Sequence, residues 1–371
     1  MKMSLRKGLF LLAAMLILWA AGAAAIAPGD HAIVASGREY AILRKTNSNK
    51  AKRVIRIPAG MQVKVLELTK NGFAKVQYFD RTGYLQQKEL TTPRTSAYTA
   101  RETTWSGHPI YCGNYGTAKR IEARTVIVSI FANDKTSSWN FNRKADAKLR
   151  LRNRFNLAVG CAWLTEQVKR WREKPGGFVW DWWDYADLYY THTFSEDFVH
   201  GISDPKVTAE LNAYVHSEIP TKKLLREYNA ENIIYFVYLN APSSSQYRSW
   251  ARGSYNEVEA DKYSPEFCVI VPYARGRENG PAVFAHEMMH CFGAYDLYQT
   301  YTGSPIPKAY VNYAMSHKPN DLMNHCIYSD PDIVTVKFSE IDAYYVGLIR
   351  TCDAVRKWKM GESIYDRFEE N

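Results

Sequence analysis

A chain of 371 residues with 46 % hydrophobic and 23 % charged residues is long enough for two domains with a sizeable core, and that composition excludes a predominantly disordered protein. Its formal charge of +10, from 48 Lys and Arg against 38 Asp and Glu, suits an anionic polymer or membrane surface as well as a plain basic exterior. The sequence contains no nucleic-acid-binding module, so nucleic acid is not an expected partner.

The chain opens with Lys2, Arg6 and Lys7, followed by an apolar stretch from Leu9 to Trp19 and the small-residue run Ala23-Ala24-Ala25. Residues 1–25 therefore read as a secretory signal, which makes the expected location secreted, periplasmic or cell-surface. Residues 8–27 are also nearly apolar for about the length of a bilayer span, so an uncleaved anchor is the alternative. If the signal is cleaved, no stable membrane span remains.

Residues 28–92 carry the pattern of a small β module. Polar and apolar residues alternate at 53–57, 62–66 and 74–78, the two-residue period of half-buried strands. Pro58-Ala59-Gly60, Lys70-Asn71-Gly72 and Arg81-Thr82-Gly83 stand as turn signals. The succession Ile42-Leu43-Arg44, Ile57-Pro58-Ala59-Gly60, Gly72-Phe73-Ala74-Lys75-Val76 and Thr82-Gly83-Tyr84-Leu85 resembles bacterial SH3 domains. That resemblance implies a small barrel with a cell-wall or peptide ligand; a module that only packs on its neighbour is the alternative. Residues 93–120, rich in Thr, Ser, Gly and Arg, read as a linker or pro-like segment.

Residues 121–371 read as a second domain. Strands are expected at 125–131, 232–239 and 267–271, and a long helix at 143–172 with Leu149, Leu151, Phe155, Leu157, Ala158, Ala162 and Leu164 on its apolar side. Pro175-Gly176-Gly177 is the expected stop of that helix. Further helices are expected at 281–292 and 338–349. The run Trp180-Asp181-Trp182-Trp183-Asp184-Tyr185 fits either a core seam or a substrate cleft. Asp181, Asp184 and Asp187 offer oxygen ligands, but their spacing matches no defined calcium loop, so calcium has no motif behind it.

The six cysteines, Cys112, Cys161, Cys268, Cys291, Cys326 and Cys352, form an even set in an exported chain, which favours disulfides. Six cysteines allow 15 pairings and the sequence does not choose among them. A bridge near Cys291 and Cys326 is one option, and a free Cys112 capping a metal is another.

The segment His286-Glu287-Met288-Met289-His290-Cys291-Phe292-Gly293-Ala294-Tyr295-Asp296 holds the chemistry. His286 and His290, four apart, project from one helical face and could share one zinc ion. Glu287 lies beside them as a candidate general base. Gly293 lets the chain leave the helix, and Asp296 returns as a third ligand. Three protein ligands with one open position is the pattern of a catalytic zinc.

This His-Glu-x-x-His-x-x-Gly-x-x-Asp run resembles the metzincin metallopeptidases, in the branch that includes snapalysin-like and immune-inhibitor-A-like enzymes. Asn320-Asp321-Leu322-Met323-Asn324-His325 resembles the Met-turn of that family. The resemblance implies a peptidase with one catalytic zinc and with Met323 as a support beneath it. Where several metzincin families have a tyrosine near the metal, this chain has His325, with Tyr295 and Tyr298 as alternative substrate or transition-state contacts. A thermolysin-like arrangement would instead take Glu340 as third ligand.

The expected architecture is thus α+β: a small SH3-like β-barrel, then a twisted sheet with a long helix, a zinc helix and a Met-turn. The expected substrate is a peptide or protein. Two alternatives remain, a narrow peptidase of the wall or of surface proteins, and a non-catalytic ligand-binding protein with a relic zinc site.

Overall fold

The computed structural model describes residues 26–35, 39–92, 117–118, 120–172, 175–180, 186–198, 204–242, 247–253, 265–274, 276–299, 304–324, 326 and 330–365. The expected signal at 1–25, most of the linker at 93–120, Cys112, Asp181, Asp184 and His325 lie outside these residues. The chain divides into two compact units, residues 1–95 and 96–371.

The first unit is a seven-stranded antiparallel sheet. Its strands are β1 (His31–Val34), β2 (Tyr40–Arg44), β3 (Arg53–Pro58), β4 (Gln62–Leu68), β5 (Phe73–Tyr78), β6 (Arg81–Gln86) and β7 (Leu90–Thr91), in the order β3-β2-β6-β5-β4-β1-β7. The sequence alternation becomes alternating burial: Ala41, Leu43, Ile55, Ile57, Val63, Val65 and Val76 all lie inside. Arg81-Thr82-Gly83, expected as a turn, belongs to β6. The chain turns just before it, where Phe79 adopts φ +57°. Gly83 is needed for a different reason: a Cβ there would lie 2.6 Å from the Arg44 carbonyl oxygen on β2.

The second unit is built on β8 (Thr125–Asn133), β9 (Phe178–Trp180), β10 (Tyr189–Thr193), β11 (Asn232–Leu239), β12 (Trp250–Arg252) and β13 (Phe267–Ile270), ordered β10-β8-β11-β13-β12. β9 pairs with Thr125–Ile127 and β10 with Ser129–Asn133, so both share one edge of β8. All these pairings are parallel except β12 on β13. A parallel sheet is covered on both faces, which is why β8, β11 and β13 read as unbroken apolar runs. A small hairpin, β14 (Tyr273–Ala274) with β15 (Arg277–Glu278), follows.

One sheet face carries Val126, Val128, Ile130, Ile233, Tyr235, Val237 and Val269, packed with Val207, Leu211, Val215, Leu224 and Leu225. The long helix α1 is Lys144–Val168, and α2 (Pro205–Glu218) and α3 (Thr221–Glu227) supply that apolar cover. α4 (Pro281–Cys291), α5 (Lys308–His317), α6 (Glu340–Tyr345) and α7 (Asp353–Trp358) follow. Phe284 of α4 stacks on Phe236 of β11 with ring centroids 6.0 Å apart.

α1 packs against α4, so it lacks the single apolar stripe read from the sequence; residues 155–161 are buried all round. Gly160 makes this possible, since a Cβ there would lie 3.2 Å from Pro281 O and 3.3 Å from Ala285 N. α1 ends at Val168, well before Pro175-Gly176-Gly177. Those glycines instead serve the entry to the sheet: a Cβ at Gly176 would sit 2.2 Å from Arg124 N.

The described cysteines, Cys161, Cys268, Cys291, Cys326 and Cys352, are thiols, which corrects the expected disulfide framework. Cys291 faces Cys268 in the core with sulfurs 3.5 Å apart, and Cys161 lies 3.9 Å from the Met288 sulfur. They fill the space between helix and sheet as small apolar residues do. No bridge joins Cys291 to Cys326.

Candidate metal centre

The site starts from how α4 is held at its two ends. Gly280 precedes the helix and Pro281 occupies its first turn, where a missing N–H costs nothing. At the other end Gly293 adopts φ +95°. Its N–H donates to His290 O (3.0 Å), and the Ala294 N–H donates to Met289 O (3.1 Å), which is a Schellman cap. This cap folds the Ala294 carbonyl back over the last turn, where it accepts the His290 Nδ1–H at 2.8 Å.

The turn at Asp321–Asn324 forms a second wall. Leu322 O accepts the His286 Nδ1–H at 3.0 Å, and Met323 O accepts the Leu297 N–H at 2.9 Å, one residue beyond Asp296. Met323 is fully buried. Both imidazoles thus carry their proton on Nδ1 and turn an Nε2 lone pair the other way.

Those two Nε2 atoms are 3.2 Å apart, and Asp296 Oδ1 lies 3.2 Å from one and 3.4 Å from the other. Ligands about 2.0–2.1 Å from a tetrahedral zinc ion are about 3.3–3.4 Å from each other. The triangle has that edge length. Apart from its approach to the imidazoles, Asp296 Oδ1 has no hydrogen-bond donor, while Oδ2 accepts Gln299 Nε2 at 2.6 Å. Three lone pairs this close repel one another unless a cation or a proton lies among them. Donor type, spacing and carbonyl support all fit a zinc ion. Among the described residues, this is the group of His, Cys, Asp and Glu side chains placed to hold a metal.

The electrostatics agree. Burial pulls His286 down, but Cys326 and Asp296 more than reverse it, and the imidazole ends well above its usual range. Burial also lowers His290, and Asp296 raises it above the usual value. Burial pushes Asp296 up, yet His290 and His286 hold its carboxyl far below the ordinary carboxylate range. The group therefore favours positive charge at its centre. Glu287 is buried beside it; burial raises its pKa while His286 and His290 pull it back.

The other expected residues separate. Tyr298 is 39 % exposed, with its ring 6.2 Å from that of His286. Burial and the Asp296 charge raise its phenol pKa, so it remains a proton donor. Tyr295 instead packs edge-on against Tyr345, 5.1 Å between centroids. Glu340 is exposed at the first position of α6 and is not in the donor group. Asp187 accepts the Tyr228 hydroxyl at 2.6 Å.

Two features escaped the sequence reading. Cys326 lies near enough to His286 to raise its pKa, a proximity with no spacing signature. The carbonyls of Leu322 and Ala294 set the histidine tautomers, and backbone atoms leave no trace in residue type. The Ser339-x-x-Asp342 capping box near the turn was visible as a pattern.

Among the described residues, no helix is long and apolar enough to cross a membrane. No curated protein matches the chain. A solved structure, NlpC2 from Trichomonas vaginalis, is 16 % identical over 23 % of this chain and 28 % of that one. The match spans little more than a quarter of that protein, and its TM-score of 0.15 carries no argument. The bacterial SH3 domain family matches residues 39–91, within the seven-stranded sheet; that segment is a bacterial SH3 domain.

Proposed function

We propose that this chain is an exported zinc-dependent endopeptidase in which His286, His290 and Asp296 hold the metal and Glu287 is the general base. The observation that carries the reading is the 3.2–3.4 Å triangle of Nε2, Nε2 and Oδ1, with both Nδ1 protons committed to carbonyls. A zinc ion held there would polarise a peptide carbonyl and make a water acidic enough to attack it.

The remaining work falls to the protein's own groups. Glu287, one residue from His286 and electrostatically coupled to all three donors, takes the proton of the attacking water and passes it to the departing amine. Its buried setting raises its proton affinity toward what a base that becomes an acid requires. Tyr298, protonated and beside His286, is placed to donate a hydrogen bond to the developing oxyanion.

The bacterial SH3 domain favours a narrower version, in which residues 39–91 bind a wall peptide and bring the peptidase to wall or surface-protein substrates. The basic charge suits such an anionic surface. A non-catalytic wall-binding protein is the contrasting reading. The test is zinc per chain by elemental mass spectrometry in wild type and Asp296→Ala, paired with hydrolysis of unfolded protein and of purified wall. One zinc in wild type, lost in the variant, with hydrolysis of either substrate, supports the proposal. Wild type without zinc refutes it, and zinc without hydrolysis favours the binding reading.

A further inference from the structure

We infer that Asp321 is a positioning residue that sets the Asp321–Asn324 turn and through it aims His286 and Asp296 at the metal. The inference rests on the metal-centre reading above. Asp321 and Asp342 are 4 % and 1 % exposed, and neither belongs to the three-donor group. Two carboxylates are not placed in a dry interior for solvation, so their partners show what they hold.

Asp321 holds the turn from within. Its Oδ1 accepts the Met323 N–H at 3.0 Å, while its carbonyl accepts the Asn324 N–H at 3.1 Å. Between those two bonds lie the Leu322 and Met323 carbonyls. Leu322 O orients His286, and Met323 O fixes Leu297 beside Asp296. A tilt of these peptide planes would move two of the three donors together.

The turn is also tied from outside. Leu322 N–H donates to Lys337 O at 2.9 Å, and Lys337 N–H donates to Asn320 O at 2.7 Å. Two residues on, Ser339 caps α6: its N–H donates to Asp342 Oδ2 at 2.8 Å, and its Oγ accepts the Asp342 N–H at 3.3 Å. Ser339 also lies beside the Asp321 carboxyl and lowers its proton affinity. The Lys337 backbone bonds and the Ser339 cap thus hold the start of α6 against the turn beneath the metal group. Burial raises both carboxyl pKa values, and the Asp321 charge raises Asp342 further, which favours a proton held within the pair. Asp342 Oδ1 has no hydrogen-bond partner and can carry that proton.

The experiment measures the zinc dissociation constant by competition with a chromophoric chelator, alongside the melting temperature of metal-free protein. The variants are Asp321→Ala, Asp321→Asn and Ser339→Ala. Loss of an outer support weakens metal affinity about 10–100-fold. Asp321→Ala should fall in that range. Asp321→Asn, whose amide oxygen still accepts the Met323 N–H, should lie within a few-fold of wild type. Should Asp321→Ala not fold, Ser339→Ala carries the test, with a smaller weakening in the same direction. Wild-type zinc affinity in a folded Asp321→Ala or Ser339→Ala, despite a lower melting temperature, would reduce the network to ordinary core packing and overturn the inference. A wild-type protein that binds no zinc overturns the metal reading as well, so the two failures are distinguishable.

Discussion

Replacing Gly293 with alanine tests whether the glycine cap builds the site. At φ +95° a residue with a side chain costs about 1–2 kcal/mol. The new Cβ would also lie 2.7 Å from Ile364 Cδ1, 3.0 Å from Ile364 Cγ1 and 3.2 Å from Tyr345 O. Ile364 is fully buried and cannot swing into solvent, so overpacking adds about 1–3 kcal/mol. With ~3 kcal/mol as the central value, the melting temperature should fall by roughly 6–12 °C. Because the cap carries Ala294 O to His290 and leads to Asp296, zinc affinity should fall with it. Thermal unfolding of metal-free protein and chelator competition measure the two effects. Ile364→Val deletes Cδ1, the nearest clash. It should cost about 0.5–1.5 kcal/mol in wild type but little or nothing in the Gly293→Ala background. A Gly293→Ala protein within ~0.5 kcal/mol of wild type, or no coupling with Ile364, would refute the reasoning.

Glu287→Gln should keep its zinc, measured by elemental mass spectrometry, while hydrolysis falls ~10²–10⁴-fold; near-normal turnover would remove Glu287 as the base. The cobalt-substituted protein should show no sulfur-to-cobalt charge-transfer absorption, because Cys326, though near His286, lies outside the three-donor group. Such a band, abolished by Cys326→Ser, would mean four protein ligands and a closed site. Asp321 adds a pH dependence to the metal-free protein, since burial pushes its carboxyl from 3.8 up to about 6. The folded state then holds a proton that the unfolded chain releases, so this stabilisation is complete below pH 3.8 and lost as pH rises to about 6. The effect is at most ~3 kcal/mol; urea unfolding across that range should show it in wild type and not in Asp321→Asn. Gly160→Val should destabilise by about 1–3 kcal/mol by forcing α1 away from α4, read from the urea midpoint; an unchanged midpoint would mean that this helix crossing is loose.

Local periodicity carried the long strands and the helices α1 and α4, but not α2, α3 or α5. β11 has the bounds its apolar run implied, and α4 ends at the residue before its C-cap Phe292 and the glycine. Such elements are legible because side chains four apart on a helix, or in a buried parallel strand, are constrained by neighbours close in sequence. The glycine roles were harder to read. Gly293 is a cap, but Gly83, Gly160 and Gly176 answer to backbone 39, 121 and 52 residues away, namely Arg44, Pro281 and Arg124. No local pattern encodes that distance.

The sequence by itself determined the candidate donors, two imidazoles four residues apart and an aspartate just beyond a glycine, with an acid beside the first imidazole. Only the tertiary structure decided how these atoms face. The Leu322 carbonyl reaches His286 across 36 residues, and the turn that presents it is fixed from Lys337 and by Asp321. It also chose Tyr298 over Tyr295 as the phenol beside His286, and gave Cys161, Cys268 and Cys291 to the core. The physical reason is that residue type sets which atoms can donate a lone pair, whereas its direction is set by hydrogen bonds from backbone that is distant in sequence.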